Sequence, residues 1–381
     1  MRVVTLRPGR ESSVGRRHPW LFSGAIADSA GDRSDGRVEV RDAAGARLAS
    51  GFDGGSASLA ARLWAFGAEV LDEELIRNRF ERALDLRYQV VSEDTTGFRL
   101  LHSEGDETPG LIADRYGDCD VVVFTAAGLV AREAEILRLY HEVFSPKRLV
   151  ARHDAGGRPA PDGPATSEFR EYGLQFIANL ADGQKTGFFL DQRENRRQVR
   201  TMARGRRVLN LFSYSGAFSV SALAGGASRA VDVDTSGAAL AAARQLRRAN
   251  GFPVDDADFV RADVFTDVRD RVAAGELWDI VICDPPAFAR KRGDVDRAAR
   301  GYKDVLRLSM ALVKPGGVLL ACSCSGLIPI DLYQKIIYSA ALDSGTSYQI
   351  LARTGAGPDH PVSIYCPESE YLKAFFLLRT A

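Results

Sequence analysis

Two kinds of hydrophobic spacing divide the chain. The run VEVRDAAGARLASGF (38–52) alternates apolar and polar residues on both sides of an Ala-Ala-Gly turn, which predicts a β-hairpin with one dry face. The run LDEELIRNRFERALDLRYQVV (71–91) repeats its apolar positions at helical spacing behind an acidic first turn, and predicts an amphipathic helix. Strands near 111–113, 120–125 and 148–152 and a helix near 129–143 follow, and then a Gly/Pro-rich loop, DAGGRPAPDGPATSE. A small β-rich domain over residues 1–70 and a central α/β module over 71–190 are expected.

From residue 207 the pattern changes. The short apolar runs VLNLF, RAVDVD, DFVRAD, WDIVICD and VLLACS alternate with helical stretches, among them 217 onward, 236–250, 297–313 and 330–342; SYQILAR and YLKAFFLLR close the series. Strands of this length joined by helices imply βαβ crossovers and a parallel sheet covered on both faces. The fold class expected is α/β: a carboxy-terminal doubly wound Rossmann-like sheet, residues 191–381, behind the β-rich domain and the central module.

Ligands of such a sheet lie beyond the carboxyl ends of its strands, so the residues that end each strand are the candidates. After the first strand, Asn210-Leu-Phe-Ser-Tyr-Ser-Gly216 turns into a helix of small residues, and Asn210, Phe212, Ser213 and Gly216 are candidate cofactor contacts. A dinucleotide site would want GxGxxG here; two of its glycines are missing. The second strand ends at Asp234, 18 residues beyond Gly216, where a carboxylate can accept from ribose hydroxyls. The third ends at Asp263, which can accept from an adenine amine. Each acid alone is also an ordinary helix cap. Their order within one alternating pattern instead describes a nucleoside with a small, non-phosphate tail, namely S-adenosylmethionine.

The fourth strand ends in CDPPAF. Pro285 and Pro286 stop the strand and hold Asp284 rigidly, and Phe288 offers a face to a base; the alternative is a plain strand terminator. The fifth strand adjoins the fourth and ends at Cys322-Ser-Cys324-Ser-Gly, so Cys324 and Asp284, 40 residues apart, should share one crevice. A thiol there suits one reaction. Carbon 5 of a pyrimidine becomes nucleophilic once a thiolate has added to carbon 6. Cys322, one pleat deeper, and Cys283 read as packing.

Composition narrows the classes. The 381 residues are 45% apolar and 26% charged, as in folded globular chains, and no window approaches about 18 uncharged apolar residues, so a soluble protein without a membrane span is expected. Five cysteines without a CxxC pair suggest neither a disulfide framework nor a metal site, and point to a reducing cytoplasm. Fifty basic against 50 acidic residues exclude a surface that coats nucleic acid throughout. Local basic patches remain: Arg2, Arg7, Arg10, Arg16 and Arg17 face only Glu11 in the first twenty residues, and Arg290, Lys291 and Arg292 after DPPAF make either a phosphate-contacting lip or a solvated loop.

These residues resemble the bacterial 23S ribosomal RNA cytosine-5 methyltransferases that carry an amino-terminal PUA domain. The resemblance is borne by RRHPWLFSGAI, DGQKTGFFLDQRENR, LNLFSYSGAFSVSAL, VDVDTS, DPPAF, RGYKD, SCSGL and DHP, and covers nearly the whole chain. It implies a PUA-like RNA-binding domain, a Rossmann-like domain that binds S-adenosylmethionine, and large-subunit ribosomal RNA or an assembly intermediate as partner. By the same resemblance Cys324 falls on the catalytic cysteine, Asp234 and Asp263 on the donor-binding acids, and Asp284 beside the target base. Lys185, Gln192 and Arg193 would order the substrate or the methionine carboxylate, unless they are a capped helix start with solvated charges. Many RNA cytosine-5 methyltransferases carry a second cysteine after the motif proline, where this chain has Pro286-Ala287. The alternatives are an N-methyltransferase acting on an adenine or guanine amino group, and a non-catalytic RNA-binding assembly factor. Monomer and homodimer stay open.

Overall fold

Helix Glu73–Val90 starts where Asp72, in extended backbone, accepts the Leu75 N–H at 2.9 Å. Its buried residues Ile76, Phe80 and Ala83 pack into one apolar cluster with Phe52 and Trp64 of the preceding β-rich segment and with Leu100, Leu111 and Val122 beyond it. The computed structural model describes residues 1–153, 165–181, 185–289 and 291–380. Most of the Gly/Pro-rich loop, and Arg290, therefore lie outside the described residues.

One unit comprises Met1–Gly173, Ile177–Leu190 and Pro358–Ser369. Its amino-terminal sheet has six strands in the order Trp20–Phe22, Leu59–Phe66, Arg47–Asp53, Arg37–Arg41, Arg2–Leu6 and Ile26–Gly31. The expected hairpin is Arg37–Arg41 paired antiparallel with Arg47–Asp53. Its turn is held by Asp42, whose Oδ1 accepts the Ala44 and Ala46 N–H groups, and by Gly45 at φ 88°. Only the first of the two strands has a single dry face. Ala49 to Phe52 are buried on both, because Ala49 joins the core of the sheet while Phe52 joins the cluster under helix Glu73–Val90. A four-stranded sheet follows in the order Arg148–His153, Cys119–Phe124, Leu111–Tyr116, Gly97–His102.

The other unit comprises Leu174–Phe176, Asp191–Gly357 and Glu370–Ala381. Its strands are β1 (Arg207–Leu211), β2 (Arg229–Asp234), β3 (Phe259–Arg261), β4 (Trp278–Cys283), β5 (Val313–Ser323), β6 (Tyr348–Thr354) and β7 (Lys373–Arg379), in the order β3-β2-β1-β4-β5-β7-β6. The pairs from β3 through β5 are parallel, as the strand–helix alternation predicts. β7 is the exception and runs antiparallel to both neighbours. No α-helix lies between Thr354 and Lys373, so the chain returns without the helical crossover that parallel pairing needs.

The period of two in these strands sorts side chains to two faces. Leu209, Val281 and Leu319 pack with helices Val295–Ala311 and Ile330–Ser344, whereas Val208, Ile280 and Leu320 pack with Val199 and Phe218 on the other side. The strand order reverses at β1 and β4, which is where a doubly wound sheet opens its ligand crevice.

Candidate active site

The turn that leaves β1 has a strained backbone. Phe212, Tyr214 and Gly216 have φ of 57°, 47° and 72°, a region that costs a non-glycine residue roughly 1–2 kcal/mol. Asp234, at the end of β2, offsets this: its Oδ2 accepts the Tyr214 N–H at 2.9 Å and its Oδ1 the Ser236 N–H at 2.8 Å. Gly216 is required for packing. A Cβ there would sit 2.8 Å from the Ala243 Cβ of helix Gly237–Ala249. Within the turn, Ser213 Oγ and Ser215 Oγ are buried without a hydrogen-bond partner among the described residues. Buried hydroxyls left unpaired beside a carboxylate suit a polar ligand that brings its own donors and acceptors.

Asn210 lies inside the sheet. Its Nδ2 donates to Asp232 Oδ1 at 2.9 Å and to Ser219 Oγ at 3.2 Å, and Arg247 donates to the same buried carboxylate at 2.7 Å. Burial raises the Asp232 pKa while these donors pull it down. Asp263 lies two residues past the end of β3 and caps helix Val264–Ala273 by accepting the Thr266 N–H at 3.1 Å; its side chain is exposed. The half-buried rings of Phe212, Phe265 and Phe288 line this region: Phe265 is 6.4 Å from Phe212 and 6.2 Å from Phe288, and Phe288 is 4.6 Å from the buried Tyr302.

The tips of β4 and β5 meet as the sequence predicts. Cys283 pairs with Ala321 in register, so Asp284 leaves the sheet level with Cys322, and the half-buried Cys324 follows two residues later. Cys324 Sγ lies 4.0 Å from the Pro285 carbonyl. The loop that carries it is tied on several sides. Ser325 Oγ is 3.1 Å from the Tyr302 hydroxyl and accepts the Ala289 N–H at 3.4 Å, while Lys373 Nζ donates to the Ser325 carbonyl at 2.6 Å and to the Tyr371 carbonyl at 2.7 Å. Burial pushes the Cys283 thiol up to about 12 and the Cys322 thiol well above its ordinary range. Burial pulls Lys373 down to about 8, against the opposing pull of Cys324 and Glu370.

Gln192 and Arg193 are buried at the start of helix Arg193–Met202, where Gln192 takes the N-cap position without a side-chain capping bond, so neither is solvated. Gln192 Nε2 donates to Asp284 Oδ2 at 2.9 Å, which ties it to the carboxylate by the β4 tip. Arg193 Nε donates to Glu194 Oε1 at 3.2 Å. Pro285 is buried, Pro286 exposed, Phe288 half-buried and Lys291 exposed. Lys185 belongs to the amino-terminal unit, where its exposed Nζ stands 4.5 Å from the centre of the Phe189 ring. His360, in that same unit, is buried against His102 with ring centres 5.0 Å apart. There too His18, Cys366 and Glu368 cluster, but His18 Nδ1 accepts the Trp20 N–H, which leaves the ring proton on Nε2 facing Glu368. Residue types at strand ends could not reveal Tyr302, Ser325 and Lys373. The signal was present in the RGYKD, SCSGL and YLK blocks that contain them.

A strand-order reversal at β1 and β4, an acid at the β2 tip, hydroxyls in the β1 turn without partners among the described residues and an antiparallel last strand define a doubly wound methyltransferase. A family model described as S-adenosylmethionine-dependent methyltransferase matches residues 151–363, and one described as PUA-like domain matches residues 4–66. The chain is 39% identical over 385 residues to Ribosomal RNA large subunit methyltransferase I of Serratia proteamaculans (strain 568), with 97% of each chain covered. It is 38% identical to the protein of the same name in Yersinia pseudotuberculosis serotype O:1b (strain IP 31758), with 98% of each covered. SMU.776, solved in complex with SAH, shares the fold over 100% of each chain at a TM-score of 0.87 and 24% identity. The chain belongs to the S-adenosylmethionine-dependent methyltransferase family and carries an amino-terminal PUA-like domain. S-adenosylmethionine is its cofactor. Among the described residues, no helix is long and apolar enough to cross a membrane.

Proposed function

We propose that this protein methylates carbon 5 of a cytosine in large-subunit ribosomal RNA, in the cytoplasm, through a covalent bond between Cys324 and carbon 6 of the base. The name and full-length alignment of its relatives support the RNA substrate. The observation that carries the chemistry is Cys324: a half-buried thiol at the tip of β5, 4.0 Å from the Pro285 carbonyl, in a chain whose other four cysteines are buried.

S-adenosylmethionine, when bound, supplies an electrophilic methyl group. Asp234 would hold its ribose and Asp263 its adenine amine, with Asn210, Phe212, Ser213 and Gly216 shaping the turn and Gln192 and Arg193 bracing the rear of the site. The Cys324 thiolate would add to carbon 6, which makes carbon 5 nucleophilic; carbon 5 would take the methyl group and leave S-adenosylhomocysteine, water would take the carbon 5 proton, and the carbon–sulfur bond would break to restore the thiolate. Asp284, presented by Pro285 and Pro286, would hold the cytosine amino group, and Phe288 would stack on the base. Residues 1–70 would position the RNA, with Lys185, Arg290 and Lys291 near its phosphates.

The test is RNA with 5-fluorocytosine at the target. Fluorine cannot leave carbon 5 as a proton does, so one methylation should leave the RNA attached to Cys324 and resistant to denaturation. Cys324→Ala should give neither adduct nor product while still binding S-adenosylmethionine. Near-normal turnover by this variant would shift the reading to methylation of a base amine.

A further inference from the structure

Lys373 opens β7 directly opposite Ser323 of β5 and is 3% exposed. Its ammonium has three N–H groups, and two of them are used by the Ser325 and Tyr371 carbonyls. Among the described residues no carboxylate pairs with it and no acceptor takes the third N–H. A cation so enclosed is costly unless an anion stands near it. The groups that act on it electrostatically are Cys324, foremost, from the loop after β5, and Glu370 from the segment before β7. Around Cys324 stand Lys373, the Tyr302 phenol from helix Val295–Ala311 and the Cys322 thiol, with Asp284 acting on Cys322 from the β4 tip. Burial raises the pKa of both Tyr302 and Cys322, so each stays neutral where Lys373 is charged.

We infer that the Lys373 ammonium, anchored to the carbonyl of the residue that follows Cys324, is the counter-ion of the Cys324 thiolate and a positioning residue for the reaction. The thiol proton goes to water and the ammonium keeps its own. No charge is then left unpaired when the sulfur awaits the base. Two backbone carbonyls hold the nitrogen in place without substrate, so the nucleophile is prepared before RNA arrives. This rests on the reading of Cys324 as the nucleophile.

Alkylation of the full-length protein by iodoacetamide, without RNA, tests it. The rate at Cys324 is followed by peptide mass spectrometry from about pH 6 to about pH 10, with donor binding and thermal melting as checks on folding. The wild-type midpoint should lie about one unit or more below the ~8.5 of an ordinary thiol. Lys373→Met should raise it by about one unit, a roughly tenfold slower alkylation near neutral pH, and Lys373→Arg should restore most of the shift. A wild-type midpoint at or above that of an ordinary thiol overturns the inference, and so does an equal shift in the Met and Arg variants, which would mean that loop geometry and not charge is responsible. If the Met variant does not fold, the wild-type midpoint decides. Alkylation involves neither RNA nor methyl transfer, so its failure is separate from failure of the cytosine reading, which the fluorocytosine adduct reports.

Discussion

Gln192 Nε2 donates to Asp284 Oδ2 at 2.9 Å, although 92 residues separate the two in sequence. The same amide accepts from Asn195 Nδ2 at 2.6 Å through its Oε1. One buried side chain therefore links the first helix of the carboxy-terminal unit to the tip of β4. Its conformation is constrained from each side, and with it the direction of the Asp284 carboxylate.

Replacement of Gln192 by Leu keeps the bulk and removes the donor. Turnover is expected to fall about 10²-fold, equivalent to roughly 2–3 kcal/mol of transition-state stabilisation, with donor affinity changed less than about threefold. Steady-state methylation beside calorimetry separates the two quantities. An equal loss in donor affinity would place Gln192 in the cofactor site instead.

Asp234 braces the β1 turn and is the proposed ribose ligand, so its two roles should separate by substitution. Asp234→Asn loses an acceptor for the Tyr214 or Ser236 N–H and for the diol. S-adenosylmethionine affinity should weaken by about 1.5–3 kcal/mol, with a smaller loss in melting temperature. Unchanged affinity by calorimetry would remove Asp234 from the donor site.

The cysteines should differ sharply with pH. Burial holds Cys283 as a neutral thiol up to about 12, and raises Cys119, Cys322 and Cys366 as well, so in the native protein near pH 9 alkylation should fall on Cys324. The linkage has a definite sign. Between the ordinary thiol range and about 12 the folded chain keeps the Cys283 proton that the unfolded chain gives up, so stability declines as pH rises through that window. Urea titrations of wild type and Cys283→Ala at a series of pH values should show a shallower decline in the variant. Cys322→Ala should cost about 1 kcal/mol and leave the RNA adduct intact.

Of the five arginines in the first twenty residues, Arg2 is paired with Asp53 and Arg17 with Glu69, while Arg7, Arg10 and Arg16 are exposed. Deletion of the β-rich segment would strip Phe52 and Trp64 from the cluster under helix Glu73–Val90, so point substitution is the cleaner probe. The triple variant Arg7→Ala, Arg10→Ala, Arg16→Ala should bind RNA more weakly and lower the salt slope by up to about 3, with donor binding unaffected. Equal affinity and slope by filter binding would assign these residues another role.

Strand and helix spacing alone determined the doubly wound sheet, and with it that Asp234, Asp284 and Cys324 stand at the ends of β2, β4 and β5. This was legible because a period of two and a period of 3.6 are local properties, and a parallel sheet places all its strand ends on one edge. Asn210 shows the limit of that reasoning: it is near a strand end, yet its amide turns inward to Asp232 and Ser219. Asp263 shows another, since a carboxylate two residues past a strand also caps the next helix. Tertiary structure decided the rest. Gln192 against Asp284, Tyr302 against Ser325 and Lys373 against the Ser325 carbonyl are meetings between separate elements. β7 inserts antiparallel between β5 and β6, and only that insertion brings Lys373 beside the cysteine loop. Sequence spacing carries no information about which elements become neighbours across the sheet. Burial of both faces and satisfaction of buried polar groups select that order once the whole chain has folded.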